Sequence, residues 1–277
     1  MVVTGASSGI GRACALHLDS LGFRVFAGVR KDSDAEALRG EGSDKLDPLS
    51  IDVADDGSIA AAAKRVSDDV GEPGLTGLVN NAGISIVGPM EFLPIEELRR
   101  QLDVNLIGQV AVTQALLPDL RKAAGRIVFI SSIGGRLSSP FMTPYHASKW
   151  AIEATADALR LELRPWDIEV VLVEPGSIDT RIWEKGQAQA DEIESAMGER
   201  GRELYGRQIA AAREAARRTA ADGIPPERVA EVVGRALTAD RPRTRYLVGR
   251  DAKIAARVRK LLPDRVFDRL LARQLGL

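Results

Sequence analysis

The sequence predicts a doubly wound parallel α/β sheet in a single domain. Three observations carry this reading. Strand-like and helix-like segments alternate from residue 1 to about residue 180, the order that βαβ units impose. The segments GRIVFISS and IEVVLVEPG are near-continuous runs of Val, Ile and Leu, as in strands covered by helices on both faces. A glycine-rich turn, TGASSGIG, joins the first strand to the first helix.

The elements follow in order. MVVT leaves about four residues for a first strand where five or six are usual, so that strand is short or its opening residues are missing. IGRACALHLDSLG is an amphipathic helix stopped at Gly22. FRVFAGV is a strand, DAEALRG a short helix and LDPLSIDV another strand. DDGSIAAAAKRVSDDVG is a helix capped by Asp55 or Asp56. LTGLVNNAG is a strand running into a turn, and PIEELRRQLDVNLIGQVAVTQALLPDLRKA reads as one or two helices. GRIVFISS is followed by a Gly/Ser/Pro loop, a helix from about Tyr145 to Leu163, and IEVVLVEPG. Residues 181–224 break the rhythm and predict a helical excursion. PPERVAEVVGRAL opens a helix with proline in its first turn, and TRYLVG is the last strand. Residues 250–277 form an amphipathic, basic tail, whose stripe of Ile254, Val258, Leu261, Leu262, Val266 and Leu270 predicts packing on the domain or a second subunit, ahead of a membrane-surface helix. Residues 1–277 therefore read as one domain with an elaboration.

Composition narrows the function. The 277 residues are 45% hydrophobic and 28% charged with net charge −1, which favours neither nucleic acid nor an anionic membrane as partner. One cysteine, Cys14, excludes an internal disulfide and fits a reducing compartment. Two histidines and one cysteine do not make a zinc site, so no metal is expected. No apolar run approaches the roughly 20 residues that span a bilayer, and no signal segment opens the chain. A cytoplasmic protein is expected.

The glycine turn places Gly5, Gly9 and Gly11, with Ser7, Ser8 and Ile10 between them, at the mouth of the first helix. Glycines let backbone N–H groups approach a phosphate, and the helix N-terminus favours its charge. The spacing is G-x-x-x-G-x-G rather than the common G-x-G-x-x-G; small-residue turns also serve packing. Arg30 follows the second strand, where an acidic residue would bond a ribose 2′-hydroxyl and an arginine suits a 2′-phosphate. This points to NADP(H), with NAD(H) as the alternative if Arg30 is only a solvated charge.

Tyr145 stands four residues before Lys149 in a helical pattern, so both lie on one face. An unperturbed phenol has a pKa of about 10, and a nearby cation favours the phenolate. Taken with TGASSGIG at 4–11, NNAG at 80–83, Asn105 in DVN, Ser132 and PGSIDT at 175–180, this pair resembles the short-chain dehydrogenase/reductase family. The resemblance is close to about residue 180 and looser over about 225–249. FAGVRK and GGRLSSPFMTPYHASKWAIEA are similar to the branch with 17β-hydroxysteroid and retinol dehydrogenases.

The resemblance implies hydride transfer between a nicotinamide and a secondary alcohol or ketone, with steroid-, retinol- and acyl-like compounds as the candidates. Tyr145 is then the general acid/base and Lys149 tunes it and binds the nicotinamide ribose. Ser132, at the end of a buried strand, holds the substrate oxygen; Ser131 competes, and the family's serine-to-tyrosine separation selects Ser132. Asn105, polar within an apolar helix, supports a proton-relay water near Lys149, or else distorts or caps the helix. Asn81, Ala82 and Gly83 line the adenosine ribose, and Asp52 and Val53 the adenine. Pro175, Gly176, Ile178 and Thr180 clamp the nicotinamide. His146, adjacent to Tyr145, points about 100° away on a helix and takes no role. Trp150 and Trp166 are packing residues, and Trp183 touches substrate or packs. Residues 181–224 cover the substrate, and the family's habit implies a homodimer or homotetramer. A non-catalytic dinucleotide sensor is the competing class.

Overall fold

The computed structural model describes residues 1–180 and 182–275. Residues 181, 276 and 277, at the edges of the expected excursion and tail, lie outside the described residues. Among the described residues seven strands are interleaved with helices: β1 Val2–Val3, α1 Gly9–Ser20, β2 Val25–Val29, α2 Asp32–Glu41, β3 Leu46–Ser50, α3 Asp56–Val70, β4 Gly77–Asn80, α4 Ile95–Leu102, α5 Gly108–Lys122, β5 Arg126–Ile130, α6 Thr143–Glu162, β6 Glu169–Pro175, α7 Ile182–Ala196, α8 Gly198–Ala221, α9 Glu227–Thr238, β7 Arg245–Val248, α10 Arg250–Leu261 and α11 Asp264–Leu275. All pairings are parallel, in the order β3-β2-β1-β4-β5-β6-β7. The doubly wound sheet is thus present, and its winding reverses between β1 and β4. Ligands bind outside the carboxyl ends of strands at such a point.

Strand alternation divides the core. Val3, Val79, Val128 and Val173 face one side, against Cys14 and Leu18 of α1 and Val229 and Val233 of α9. Val2, Phe26, Leu78, Ile127 and Phe129 face the other, against Ile59 and Val66 of α3, Leu116 and Leu120 of α5 and Ile152 of α6. Each large side chain buried this way contributes about 1.5–3 kcal/mol. The two faces explain why sequence strands read as continuous apolar runs. β1 is shorter than expected from MVVT. The α3 cap is Asp55, whose carboxylate accepts from the Ser58 N–H at 2.6 Å.

The long helical stretch after β4 is α4 and α5 joined by a π turn at Asp103–Ile107. The excursion is the pair α7 and α8, and it returns to its starting point through a bridge between Ile178 and Ile224. The tail is two helices rather than one, because Leu262 turns extended before Pro263. α11 packs against α8, while Ile254, Leu261, Val266 and Leu270 stay exposed. Trp150 and Trp166 are exposed rather than packed in the core; the Arg121 guanidinium lies 4.6 Å over the Trp166 ring.

Candidate active site

The turn after β1 and the turn after β4 close on each other across the switch point. The Thr4 hydroxyl accepts from the Asn81 and Ala82 N–H groups at 3.0 and 3.1 Å. The Asn81 amide donates back to the Thr4 and Gly5 carbonyls at 2.9 and 3.2 Å. Gly5 has φ +67°, and a Cβ on Gly11 would overlap the Gly5 carbonyl and the Asn81 amide. These glycines are therefore required by backbone conformation and close approach. At the mouth of α1, Ser8 is extended and makes no side-chain cap bond, so the first N–H groups of the helix are left for another acceptor. That suits a phosphate. Thr180 lies over Gly9 from the far side.

Arg30 and Asp52 stand side by side at the carboxyl ends of β2 and β3, 3.6 Å apart. The Asp52 carboxylate also accepts from the Ala54 N–H at 3.0 Å. Both are solvent-facing, so their pairing is weak and leaves the guanidinium open to a stronger anion. Val53 is buried, and its carbonyl sits where a side chain on Gly108 would go.

At the other end of the crevice, Ser132 stands two residues beyond the end of β5, and Tyr145 and Lys149 lie in α6. The Ser132 hydroxyl accepts from the Gly134 N–H at 3.0 Å. Burial pushes the Tyr145 phenol above its ordinary pKa, and a hydrogen bond with Ser132 acts against that shift. Ser131 instead lies on the Glu153 side, where burial raises the carboxyl pKa and the Ser131 hydroxyl acts against that shift. Lys149 is 4% exposed, and its ammonium donates to the Ile130 carbonyl at 2.7 Å. It lies 5.7 Å from the centre of the Tyr145 ring. Burial lowers its pKa to about 8, opposed by the charge of Glu153. Burial, more than the lysine field, thus governs the phenol in this structure.

Asn105 occupies the π turn. Its carbonyl accepts from the Ile84 N–H at 2.8 Å, and its amide donates to the Ile84 carbonyl at 3.0 Å and to Ser148 at 3.1 Å. Ser148 in turn donates to the Tyr145 carbonyl at 2.7 Å. Asn105 therefore ties the loop after β4 to the helix that carries Tyr145.

After β6, Pro175 is buried and the Gly176 N–H donates to Val248 at 2.8 Å. Ile178 is buried. Trp183 donates its indole N–H to the Ile178 carbonyl at 2.9 Å, an anchor at the base of α7. Above the strand ends, Ile86, Leu93, Ile193 and Met197 form a third apolar cluster joined by Tyr205. Tyr205 meets Phe92 and Phe141 edge-on.

Sequence reasoning missed three contributors. Gln101 and Gln109 bracket Asn105 at spacing four and hold Ile84, Ile86 and Ala82. That spacing of amides in an apolar helix was the available signal. Asp251 accepts from the Ser177 N–H at 2.7 Å across 74 residues, for which no sequence pattern existed.

A model of the short chain dehydrogenase family matches residues 1–191. An NADPH-dependent 3-dehydrocapnine reductase of Ornithobacterium rhinotracheale is 37% identical, over 99% of this chain and 96% of its own. Human retinol dehydrogenase 16 is 38% identical, over 97% and 86%. Bovine 17-beta-hydroxysteroid dehydrogenase type 6 is 39% identical, over 98% and 87%. A solved short-chain dehydrogenase of Streptomyces avermitilis superposes with TM-score 0.77 at 29% identity, over 97% and 93%. The chain belongs to the short-chain dehydrogenase/reductase family, as its motifs imply. It is an oxidoreductase that uses a nicotinamide cofactor on CH–OH groups.

Proposed function

We propose that this chain is an NADP(H)-dependent oxidoreductase acting on a secondary alcohol or ketone of bulky, apolar shape. The observation that carries the reading is the catalytic set itself: Ser132 against the Tyr145 phenol, with Lys149 one turn behind on α6. The glycine turn, with Ser7, Ser8, Gly9, Ile10 and Gly11, holds the pyrophosphate. Asn81, Ala82 and Gly83 line the adenosine ribose, and Asp52 and Val53 the adenine. Pro175, Gly176, Ile178 and Thr180 hold the nicotinamide end. When bound, the nicotinamide supplies or takes up the hydride.

The residues of the chain handle the proton. The Ser132 hydroxyl holds the substrate oxygen. Tyr145 gives its proton to that oxygen in reduction and takes it back in oxidation. Lys149, released from the Ile130 carbonyl to the nicotinamide ribose, favours the phenolate form as its charge nears the ring. Asn105 braces Tyr145 through Ser148. The raised phenol pKa keeps Tyr145 protonated at neutral pH, which favours the reducing direction.

Substrate shape is read from the third apolar cluster, which α7 and α8 close over the strand ends as a lid. Relatives named for retinol and a 17-beta-hydroxysteroid support an apolar substrate. Cofactor choice is read from Arg30, supported by an NADPH-dependent relative. Exposed Ile107, Trp150 and Leu161 on the α5–α6 side support a homodimer or homotetramer. Among the described residues no helix is long and apolar enough to cross a membrane.

The test is a parallel fluorescence titration with NADPH and NADH at one ionic strength, followed by a carbonyl screen that includes estrone. NADPH is expected to bind at least about tenfold tighter, one charge-assisted contact being worth about 1.5–3 kcal/mol. Arg30→Ala should remove that preference. Equal or tighter NADH binding returns Arg30 to a surface charge and moves the enzyme to the NAD-linked alternative.

A further inference from the structure

His146 follows Tyr145 in α6 and is 6% exposed. Both ring nitrogens are engaged. Nδ1 lies 3.0 Å from the Gly134 carbonyl, and Nε2 lies 3.0 Å from the Ser139 hydroxyl. A carbonyl only accepts, so Nδ1 carries the ring proton and the Ser139 hydroxyl donates to Nε2. Burial pushes the imidazole below its ordinary pKa and keeps it neutral near pH 7.

The same glycine reaches the active site from its other end. The Gly134 N–H donates to the Ser132 hydroxyl at 3.0 Å. The fit is close on every side. A Cβ on Gly134 would stand 2.7 Å from the His146 Nδ1 and 3.3 Å from the Tyr145 ring. The two rings meet edge to face, 5.8 Å between centres. A continuous path of contacts thus runs from the imidazole through Gly134 to the Ser132 hydroxyl.

We propose that His146 is a positioning residue that aims the Ser132 hydroxyl. Holding the Gly134 carbonyl fixes the peptide plane after Gly134, and the tight turn over Ile133–Gly135 carries that restraint to the Gly134 N–H. That N–H occupies one lone pair of the serine oxygen, so the serine O–H is directed away from it, toward the substrate oxygen. Ser139 on the far nitrogen secures the ring but lies outside the path. The inference rests on the reading of Ser132 given above.

The test combines one spectroscopic and one kinetic measurement. The chain has two histidines, so a His17→Gln variant labelled with ¹⁵N leaves a single imidazole to observe. The expected spectrum is a neutral ring protonated on Nδ1; protonation on Nε2 would overturn the proposal even if every His146 variant failed to fold. Kinetics use the fastest ketone of the carbonyl screen with saturating NADPH. His146→Phe should lower kcat about tenfold, the equivalent of one lost hydrogen bond, with NADPH affinity unchanged. His146→Asn, whose amide nitrogen replaces Nδ1, should regain most of the rate, and Ser139→Ala should keep it. In a Ser132→Ala background, His146→Phe should cost nothing further, because the two act as one unit. Additive losses would overturn the His146 role and leave Ser132 standing. A full rate in Ser132→Ala alone would remove both.

Discussion

At the residue scale, the chemistry rests on two ionisable groups that burial pushes in opposite directions. The Tyr145 phenol is raised and the Lys149 ammonium is lowered, to about 8. Desolvation disfavours whichever form is charged, so one cause explains both signs. Lys149 carries its charge below about 8 and loses it above. The free enzyme's essential groups appear in the pH dependence of kcat/KM, so kcat/KM for reduction should hold through neutrality and fall as pH rises through about 8. Lys149→Met should show a low, flat profile over the same range. Tyr145→Phe should lower kcat by about 10²–10⁴-fold while NADPH still binds by fluorescence titration. A Tyr145→Phe enzyme of undiminished turnover would leave the phenol without a role and favour a dinucleotide-sensing protein.

At the element scale, the site depends on helices that hold loops. Gln101, Asn105, Gln109 and Thr113 recur at spacing four along α4, the π turn and α5, all buried. A regular α-helix drifts about 40° every four residues, and the wider π turn takes up part of that drift. The stripe therefore keeps facing β4 and its loop, with Thr113 accepting from Asn80 at 2.8 Å. The apolar periodicity of this stretch was legible in the sequence, and so was Asn105, but a π turn has no compositional mark. The glycine turn and the Tyr145–Lys149 pair were legible because each is local. Asp251 was not, because its partner is distant in sequence. α10 presents it to the loop after β6, where Gly176 leaves space that a Cβ would fill 2.2 Å from the carboxylate oxygen. Since that loop is proposed to hold the nicotinamide end alone, Asp251→Ala should weaken NADPH binding several-fold, by roughly the 0.5–1.5 kcal/mol of a hydrogen bond. Binding of 2′,5′-ADP, which lacks the nicotinamide half, should stay unchanged. Equal losses for both ligands would make Asp251 a general support of the fold.

At the scale of the whole molecule, a buried ionic network fastens the active-site side of the sheet to its last strand. Glu174 of β6 is fully buried and meets Arg136 in two parallel bonds of 2.6 and 2.7 Å. Arg245 of β7 lies 3.3 Å from Glu174, 3.0 Å from Glu153 and 2.7 Å from Asp157. The loop that follows Ser132, the helix that carries Tyr145 and the edge strand thus share one set of charges. Such a pair adds little over an apolar replacement, but removing one partner strands the others away from water. Glu174→Gln keeps the shape and deletes the charge, and should lower unfolding stability by about 3 kcal/mol, measured by urea titration at pH 7. The network touches neither the glycine turn nor Arg30. Ligand binding to the folded state adds stability by mass action, about 2.7 kcal/mol at 100 times Kd. NADPH at that multiple of each protein's own Kd should therefore raise wild type and Glu174→Gln by equal amounts. The variant's affinity for 2′,5′-ADP, the half proposed to meet the glycine turn and Arg30, should also match that of wild type. A weaker affinity would show that the network's charge reaches the nucleotide crevice, and that the sheet edge and the cofactor site form one coupled unit.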